Sequence, residues 1–469
     1  MPDAASGRRR LASSLVAAGV VFSAALAPGC RGRAAPPDLR RAELTIGYAD
    51  SRPRASIDRG IRTIASALTS ERLLIMGRSG RPEPALLERW TADDDGLTWR
   101  LTLRRGLTLH DGTPLTARLV ADWLTRTLTP IPPADRFPGL RSITSVDAAD
   151  DLTFVVHLAR PDDLLLEGLN NPVPHGGGGA GDQTAGPFTE LSKGPDGVAF
   201  AAFKSYYKGA PELERIQIRE FPSARNAWGA LMRGEIDFLY DVPPEAFDFV
   251  EQSSTTVVTS FLRPYVTALV FNQTHPVLRQ RDVRLALNHA INRTEIIRTV
   301  LRDRGLPAQD HVWPRHWAYD ATLPGFSYDA ARAAALLDAR GLRVNRGRDR
   351  ARTFRFSFTC LVVEGEPRFE QLALLVQREL VEIGVDMRLE AVPLAVLAQR
   401  LRSGKYDAFI FEMLSGHGFS WPDSFWRSSA APAYIRTGYT AADPAFDRLR
   451  DARSDADRRA AVTLLQRTM

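Results

Sequence analysis

Residues 354–391, FRFSFTCLVVEGEPRFEQLALLVQRELVEIGVDMRLEA, read as one strand–helix–strand unit. Phe354, Phe356, Phe358 and Cys360 alternate with Arg355, Ser357 and Thr359, the period of a half-buried strand. Pro367 opens a helix at a position where its missing N–H costs nothing. Phe369, Leu372, Val376, Leu380 and Ile383 then fall on one face, and Gly384 ends the run. Val385, Met387, Leu389 and Ala391 alternate with Asp386, Arg388 and Glu390 in the strand that follows. Two strands joined by a crossover helix of this length pair in parallel. The spacing therefore predicts an α/β protein.

The same periods recur on both sides of this unit. Leu44, Ile46 and Tyr48 alternate in a first strand. Leu97, Trp99, Leu101 and Leu103, and later Leu152, Phe154, Val156 and Leu158, repeat the pattern. Asp93-Asp94-Asp95-Gly96 precedes one of these strands and reads as a hairpin turn, since it lacks the later ligands of a cation loop. A helix beginning at Asp282 sets Val283, Leu287, Ala290 and Ile291 on one face, and Asn292 with Glu295 caps its successor. The loop His175–Gly181 lacks the Gly-Lys-Ser/Thr of a phosphate cradle. No internal repeat is evident.

The N-terminus has a different character. Arg8, Arg9 and Arg10 precede an apolar, Ala-rich run from Leu11 to Ala27, which ends at Pro28-Gly29-Cys30. This order describes a secretory signal over residues 1–29. Gly29-Cys30 resembles a bacterial lipobox, with Pro28 where Ala or Ser is usual. Cys30 is the lipidation candidate and residues 30–41 the tether; a plain signal peptide with a chance cysteine is the alternative. Diacylglycerol on Cys30 would leave Cys360 as the single thiol, so no disulfide framework is expected.

Across 469 residues, 44% are hydrophobic and 25% charged, which excludes a disordered, collagenous or coiled-coil chain. Mean hydropathy is −0.20, which excludes a polytopic membrane protein. Lys+Arg number 61 against 55 Asp+Glu, for a net charge of +6, and almost all of the basic side is arginine. Spread over this length, that charge gives no nucleic-acid signal. No nucleophile–base motif, His-Glu-x-x-His or dinucleotide fingerprint is present, so no catalytic residue is named and no enzyme, metal or cofactor is expected. His311 and His316 lie five apart with Pro314 between, a spacing that one helical face does not present.

Taken in order, several stretches resemble a known family. They are Pro84–Trp90, Asp95–Trp99, Leu103–Gly106, His110–Thr116, Ala185–Phe188, Ala230–Asp237, Phe271-Asn272, Asp282–Leu287, Ala290–Arg293, Ile383–Val385 and Gly404–Asp407. Together they are similar to the signature of the extracytoplasmic solute-binding proteins of peptide/nickel-type ABC importers (family 5, dipeptide/oligopeptide-binding-like), over nearly all of residues 42–469. The resemblance implies a two-lobed periplasmic-binding-protein fold with a subdomain inserted in the first lobe. Lobe I would span 42–262, with the insertion at about 75–183, and lobe II 263–469. The family's return to lobe I at the C-terminus is expected to be missing here, since the chain stops at Met469. Most matched motifs read as structural: His110 and Asp111 shape a turn, Arg284 anchors a helix against carboxylates such as Asp282 or Glu295, and Gly234–Asp237 joins a helix to a strand.

Peptide-binding members carry a Trp after the Tyr-Asp strand and then an Asp that pairs with the peptide amine. Here the Trp place is Met413, and the Asp place is Gly416 or Gly418 by the two possible counts. A buried ammonium without a carboxylate loses several kcal/mol, so free-amine oligopeptides are expected to be disfavoured. Asp423 or Glu412 substitutes only if the loop is re-routed. The candidate ligand-binding residues are Gly416, His417, Phe419, Trp421 and Asp423 in that loop. By their places after strands, Tyr48, Asp50, Asn272, Glu364 and Glu366 join them. The expected protein is a monomeric, lipid-anchored carrier of the cell envelope or periplasm. It would pass a peptide-like or related small polar solute to an ABC permease. A sensory or scaffold lipoprotein of the same fold is the rival.

Overall fold

A computed structural model describes residues 42–49, 61–170, 184–195, 197–240, 242, 246–344, 354–429 and 434–469. Cys30, Asp50 and the His175–Gly181 loop lie outside the described residues. In chain order the strands are β1 Glu43–Ala49, β2 Leu74–Met76, β3 Pro82–Pro84, β4 Leu87–Ala92, β5 Thr98–Leu103, β6 Ile143–Ala148, β7 Thr153–Leu158 and β8 Phe188–Gly194. They continue with β9 Gly197–Ala202, β10 Arg215–Phe221, β11 Phe238–Leu239, β12 Tyr265–Phe271, β13 Phe356–Val363, β14 Val385–Val392 and β15 Ala408–Leu414.

The 354–391 unit folds as its periods require. β13 and β14 pair in parallel from Phe356↔Val385 to Val363↔Val392, joined by helix Pro367–Glu382. β13 starts two residues later than the alternation suggests and runs on through Leu361-Val362-Val363. The reason is burial on both faces: Phe358, Cys360 and Val362 pack under Phe369, Val376 and Leu380. Leu361 and Val363 face Leu397 and Leu401 of helix Leu394–Ser403 on the other side. A strand covered twice reads as a continuous apolar run rather than as an alternation. The sheet order is β12-β15-β13-β14, with β12 antiparallel to β15.

A second sheet, β11-β1-β10-β9-β8, buries Ile46 and Tyr48 with Phe200 and Ile218. Between β1 and β8 the chain builds an antiparallel subdomain, β4-β5-β7-β6, packed on helix Ala117–Leu128. Gly96 turns the β4–β5 hairpin at φ 67°, its N–H donating to the Asp93 carbonyl at 2.8 Å. Asn292 caps helix Arg293–Leu301 by accepting from the Glu295 N–H at 3.1 Å. His110 ties its turn to the Gly186 carbonyl at 2.9 Å, and Gly234–Asp237 links helix Ala224–Met232 to β11. Arg284 departs from its expected role: it donates to Gln273 and to the carbonyls of Leu278 and Arg279. The carboxylates expected for it are taken by closer arginines, Asp282 by Arg340 and Glu295 by Arg298. Among the described residues no helix is long and apolar enough to cross a membrane.

Leu380 is fully buried between its helix and the β13–β14 face. Leu380→Ala is expected to lower unfolding free energy by about 2–5 kcal/mol, read as a lower urea midpoint at unchanged slope.

Candidate functional site

The chain after β15 and the chain after β7 meet at a cavity of about 180 Å³. One wall comes from β2–β3 and from the segment after β7, with Met76, Arg81, Pro82, Asp163, Leu166 and Glu167. The other comes from Trp317 and from Arg453, Ser454, Asp455 and Arg458 at the start of helix Asp455–Thr468. Backbone bonds fasten the walls: the Trp317 N–H donates to the Ser79 carbonyl at 2.8 Å, and the Asp163 N–H to that of Arg450 at 2.9 Å. The indole Nε1 of Trp313 donates to the Arg78 carbonyl at 2.9 Å.

Glu167 lies deepest. Leu164-Leu165-Leu166 make that stretch apolar enough to bury, with Asp163 in the turn before the short helix Leu165–Gly168 and Glu167 within it. The Glu167 side chain is only 4% exposed. One carboxylate oxygen accepts from the N–H groups of Phe419 at 2.6 Å and Ser420 at 2.8 Å. The other lies 3.4 Å from Arg458, which also pairs with Asp163 at 2.5 Å. Burial raises the pKa of both carboxyls, and Arg458 opposes that shift.

This places a carboxylate where the loop itself has none. A β-carbon on Gly418 would stand 2.4 Å from the Glu167 carboxyl carbon, so glycine is what lets Glu167 approach. Gly416 and Gly418 carry no carboxylate of their own, and the Glu167 carboxylate that reaches Gly418 is taken by the Phe419 and Ser420 N–H groups and by Arg458.

The other loop residues are committed to packing. Asp423 is fully buried, and its carboxylate takes Arg141 at 3.2 Å, Arg450 at 2.9 Å and Arg427 at 2.8 Å. Phe419 is 1% exposed and meets His316 edge-on. Trp421 lies edge-on to Phe137 of the subdomain and stacks on Phe425. His417 faces the Met76 carbonyl at 3.3 Å, and Gly416 turns at φ 69°. Glu412 pairs with Arg368 at 2.7 Å. Asn272 is 1% exposed; its amide donates to the Gly404 and Tyr406 carbonyls and its oxygen accepts from Thr274. Tyr48 is in the β1 core, and Glu364 and Glu366 flank Gly365 beyond β13. None of the named candidates among the described residues lines the cavity; Gly418 and Phe419 reach it through Glu167. The charged cavity residues that the sequence reading did not name are Arg81, Asp163, Glu167, Arg453, Asp455 and Arg458. A carboxylate pair amid three leucines was the signal available, because buried acids demand partners.

Removing charge from a buried knot leaves its partners uncompensated. Asp423→Asn is expected to cost roughly 3–5 kcal/mol of stability, measured by chemical denaturation.

Two histidines are held neutral. Burial pushes His311 down to about 4 and His316 to about 3, where nearby Arg458 and Arg81 add to the effect. The His316 Nδ1 accepts from the Ala318 N–H at 3.1 Å, and its Nε2 has no hydrogen-bond partner among the described residues. A histidine with a lowered folded-state pKa contributes stability above its unfolded value of ~6.5 and loses it as pH falls. The stability difference between wild type and His316→Gln should shrink by about 1.4 kcal/mol per pH unit between roughly pH 6 and pH 4. Paired urea titrations across that range measure it, and a pH-independent difference would show that His316 is protonated in the fold.

Comparison with known proteins places this geometry. Residues 81–434 match the family described as bacterial extracellular solute-binding proteins, family 5 Middle. A curated relative, the probable D,D-dipeptide-binding periplasmic protein DdpA of Escherichia coli K12, is 25% identical over 346 residues, 70% of this chain and 64% of its own length. The crystal structure of NikZ from Campylobacter jejuni with Ni(L-His) superposes with a TM-score of 0.73 at 19% identity, covering 91% of this chain and 90% of that one. AppA from Bacillus subtilis, in complex with a nonapeptide, gives 0.69 at 21% identity, again over 91% and 90%. The fold is thus the two-lobed α/β architecture of periplasmic binding proteins.

Proposed function

The chain belongs to the bacterial extracellular solute-binding proteins of family 5, and from that premise we propose that it captures a small polar solute between its lobes and hands it to an ABC permease. The observation that carries the reading is the charged, part-apolar cavity between the subdomain and the C-terminal helix. Solute sites of this kind sit between domains, and closure around the solute buries it. Lobe I on this reading is 42–262 and lobe II 263–469. The relatives' solutes, a D,D-dipeptide, a nonapeptide and a nickel–histidine complex by name, span peptides and metal chelates. This lining offers carboxylate and guanidinium groups in place of imidazole or thiolate, which favours an organic, peptide-like solute. The protein binds without chemical turnover, as a monomer. Gly29-Cys30 supports a lipid anchor at Cys30 in the cell envelope.

The test is native mass spectrometry of protein purified without unfolding, followed by a thermal-shift screen. A co-purifying solute should raise Tm, by mass action worth about 2.7 kcal/mol at 100-fold over Kd. Turnover of that solute, or no shift from any class of solute, would end this reading. Loss of membrane partitioning in Cys30→Ser tests the anchor separately.

A further inference from the structure

Residues 311–319 form a loop that packs against the turn between β2 and β3, and one imidazole in it must stay neutral for that contact to hold. The loop is pinned to the turn by the Trp317 N–H on the Ser79 carbonyl and by the Trp313 Nε1 on the Arg78 carbonyl. His316 lies between these two tryptophans in the chain and is 4% exposed. Its ring meets Phe419 edge-on and stacks on Trp317. Gly80, at φ 77°, makes room for it, since a β-carbon there would overlap the imidazole. Its Nδ1 accepts from the Ala318 N–H, a donor with no lone pair to offer in return, so Nδ1 carries no proton of its own. Nε2 then holds the single ring proton, and it finds no acceptor among the described residues. A second proton would break the Ala318 bond and set a full charge against cations. Arg81 acts on the ring from the turn, Arg458 from helix Asp455–Thr468 and His417 from the loop after β15. Arg459 donates to the Trp317 carbonyl at 3.0 Å, and Arg315 on the loop itself is exposed. The surrounding acids are bonded elsewhere: Asp455 to Arg81, Asp163 and Glu167 to Arg458, Asp457 to Ser454, Asp310 to Gln466 and Asp320 to Thr322.

We propose that residues 311–319 are an acid-released latch: protonation of His316 lifts the loop off the β2–β3 turn and frees the two walls of the junction from each other. The neighbouring histidines differ in chemistry or in place. His417 faces the Met76 carbonyl through Nδ1, and a carbonyl only accepts, so a second proton costs that ring no bond. His311 accepts from the Trp426 Nε1 at 2.5 Å and stacks on Phe425, both on helix Ser420–Trp426 and neither on the turn. The direction of the pH effect follows from where His316 sits. With the loop seated, burial and the two arginines hold it at about 3; with the loop released it returns to ~6.5. A value lowered in the seated state stabilises that state above ~6.5, and the contribution is lost as pH falls. Asp163 and Glu167 act the other way, since burial raises them and so favours closed walls as pH falls. The share of His316 is therefore read against a side chain that does not titrate. On that scale release becomes roughly 20-fold easier between pH 7 and pH 5. The family is extracellular, so the latch meets the acidity of its surroundings.

Site-resolved hydrogen exchange, corrected for its intrinsic dependence on pH, tests this in wild type and in His316→Asn, whose amide oxygen can keep the Ala318 bond and takes no proton. Between pH 7 and pH 5 the Trp317 N–H, which bridges to Ser79, should lose roughly 20-fold more protection in wild type than in the variant. The amides of β13, inside a core, should stay protected in both. A ratio between wild type and variant that does not change with pH would overturn the latch. So would β13 amides that open in step with Trp317, because acid would then be unfolding the molecule rather than releasing a loop. If His316→Asn does not fold, imidazole NMR of the wild type decides the matter. His316 should show the Nε2–H tautomer at pH 7 and take its second proton in step with the loss of Trp317 protection. A protonated His316 beside a Trp317 N–H that is still protected would sink the proposal.

Discussion

A carboxylate taken out of water must be met by donors or by charge, and the Glu167 side chain is the one on which the junction of this molecule depends. Its oxygens accept two backbone N–H groups from Phe419 and Ser420 and face Arg458, so a single side chain joins three distant segments. None of the three satisfies its own polar groups without the others. The glycine at 418 follows from the same constraint, because any side chain there would occupy the space of the Glu167 carboxyl. Asp163 and Arg458 continue this pairing into the lining of the cavity beside it.

Arginine carries nearly all of the positive charge in these contacts. Asp423 is surrounded by three guanidiniums, and Arg81 grips Asp455 with a two-pronged fork. A planar guanidinium holds its donors in fixed directions and is less strongly hydrated than an ammonium, so it can be buried against carboxylates where lysine would be costly. The arginine-dominated basic composition thus supplies the chemistry of the junction.

The sheets were legible because their information is local. The 354–391 stretch contains both strands, the helix, the proline that starts it and the glycine that stops it, and the fold differs from that reading only where burial on a second face extends β13 to Val363. The helix cap at Asn292 and the turn at Gly96 were readable for the same reason. The cavity was not, because its partners lie far apart: Glu167 meets Phe419 across 252 positions, and Arg81 meets Asp455 across 374. Reading the 412–423 loop as a ligand surface placed residues by their distance from a strand end. In the structure Phe419, Trp421 and Asp423 pack within the junction. Arg284 was misread for a related reason, since nearness in sequence to Asp282 says nothing of which arginine reaches it first.

Buried ion pairs near balance, with desolvation offsetting most of the attraction between the charges. The Glu167–Arg458–Asp163 group and the Asp423 knot therefore contribute little net driving force for bringing the two walls together. What they do is penalise every arrangement in which one member is buried alone, and so they select a single register of the walls. The driving force has to come from apolar contact such as Phe137 on Trp421. A junction that is specific but weakly driven is suited to a carrier. It leaves the two walls matched but only weakly held, so that a contact favouring one arrangement of them shifts the balance.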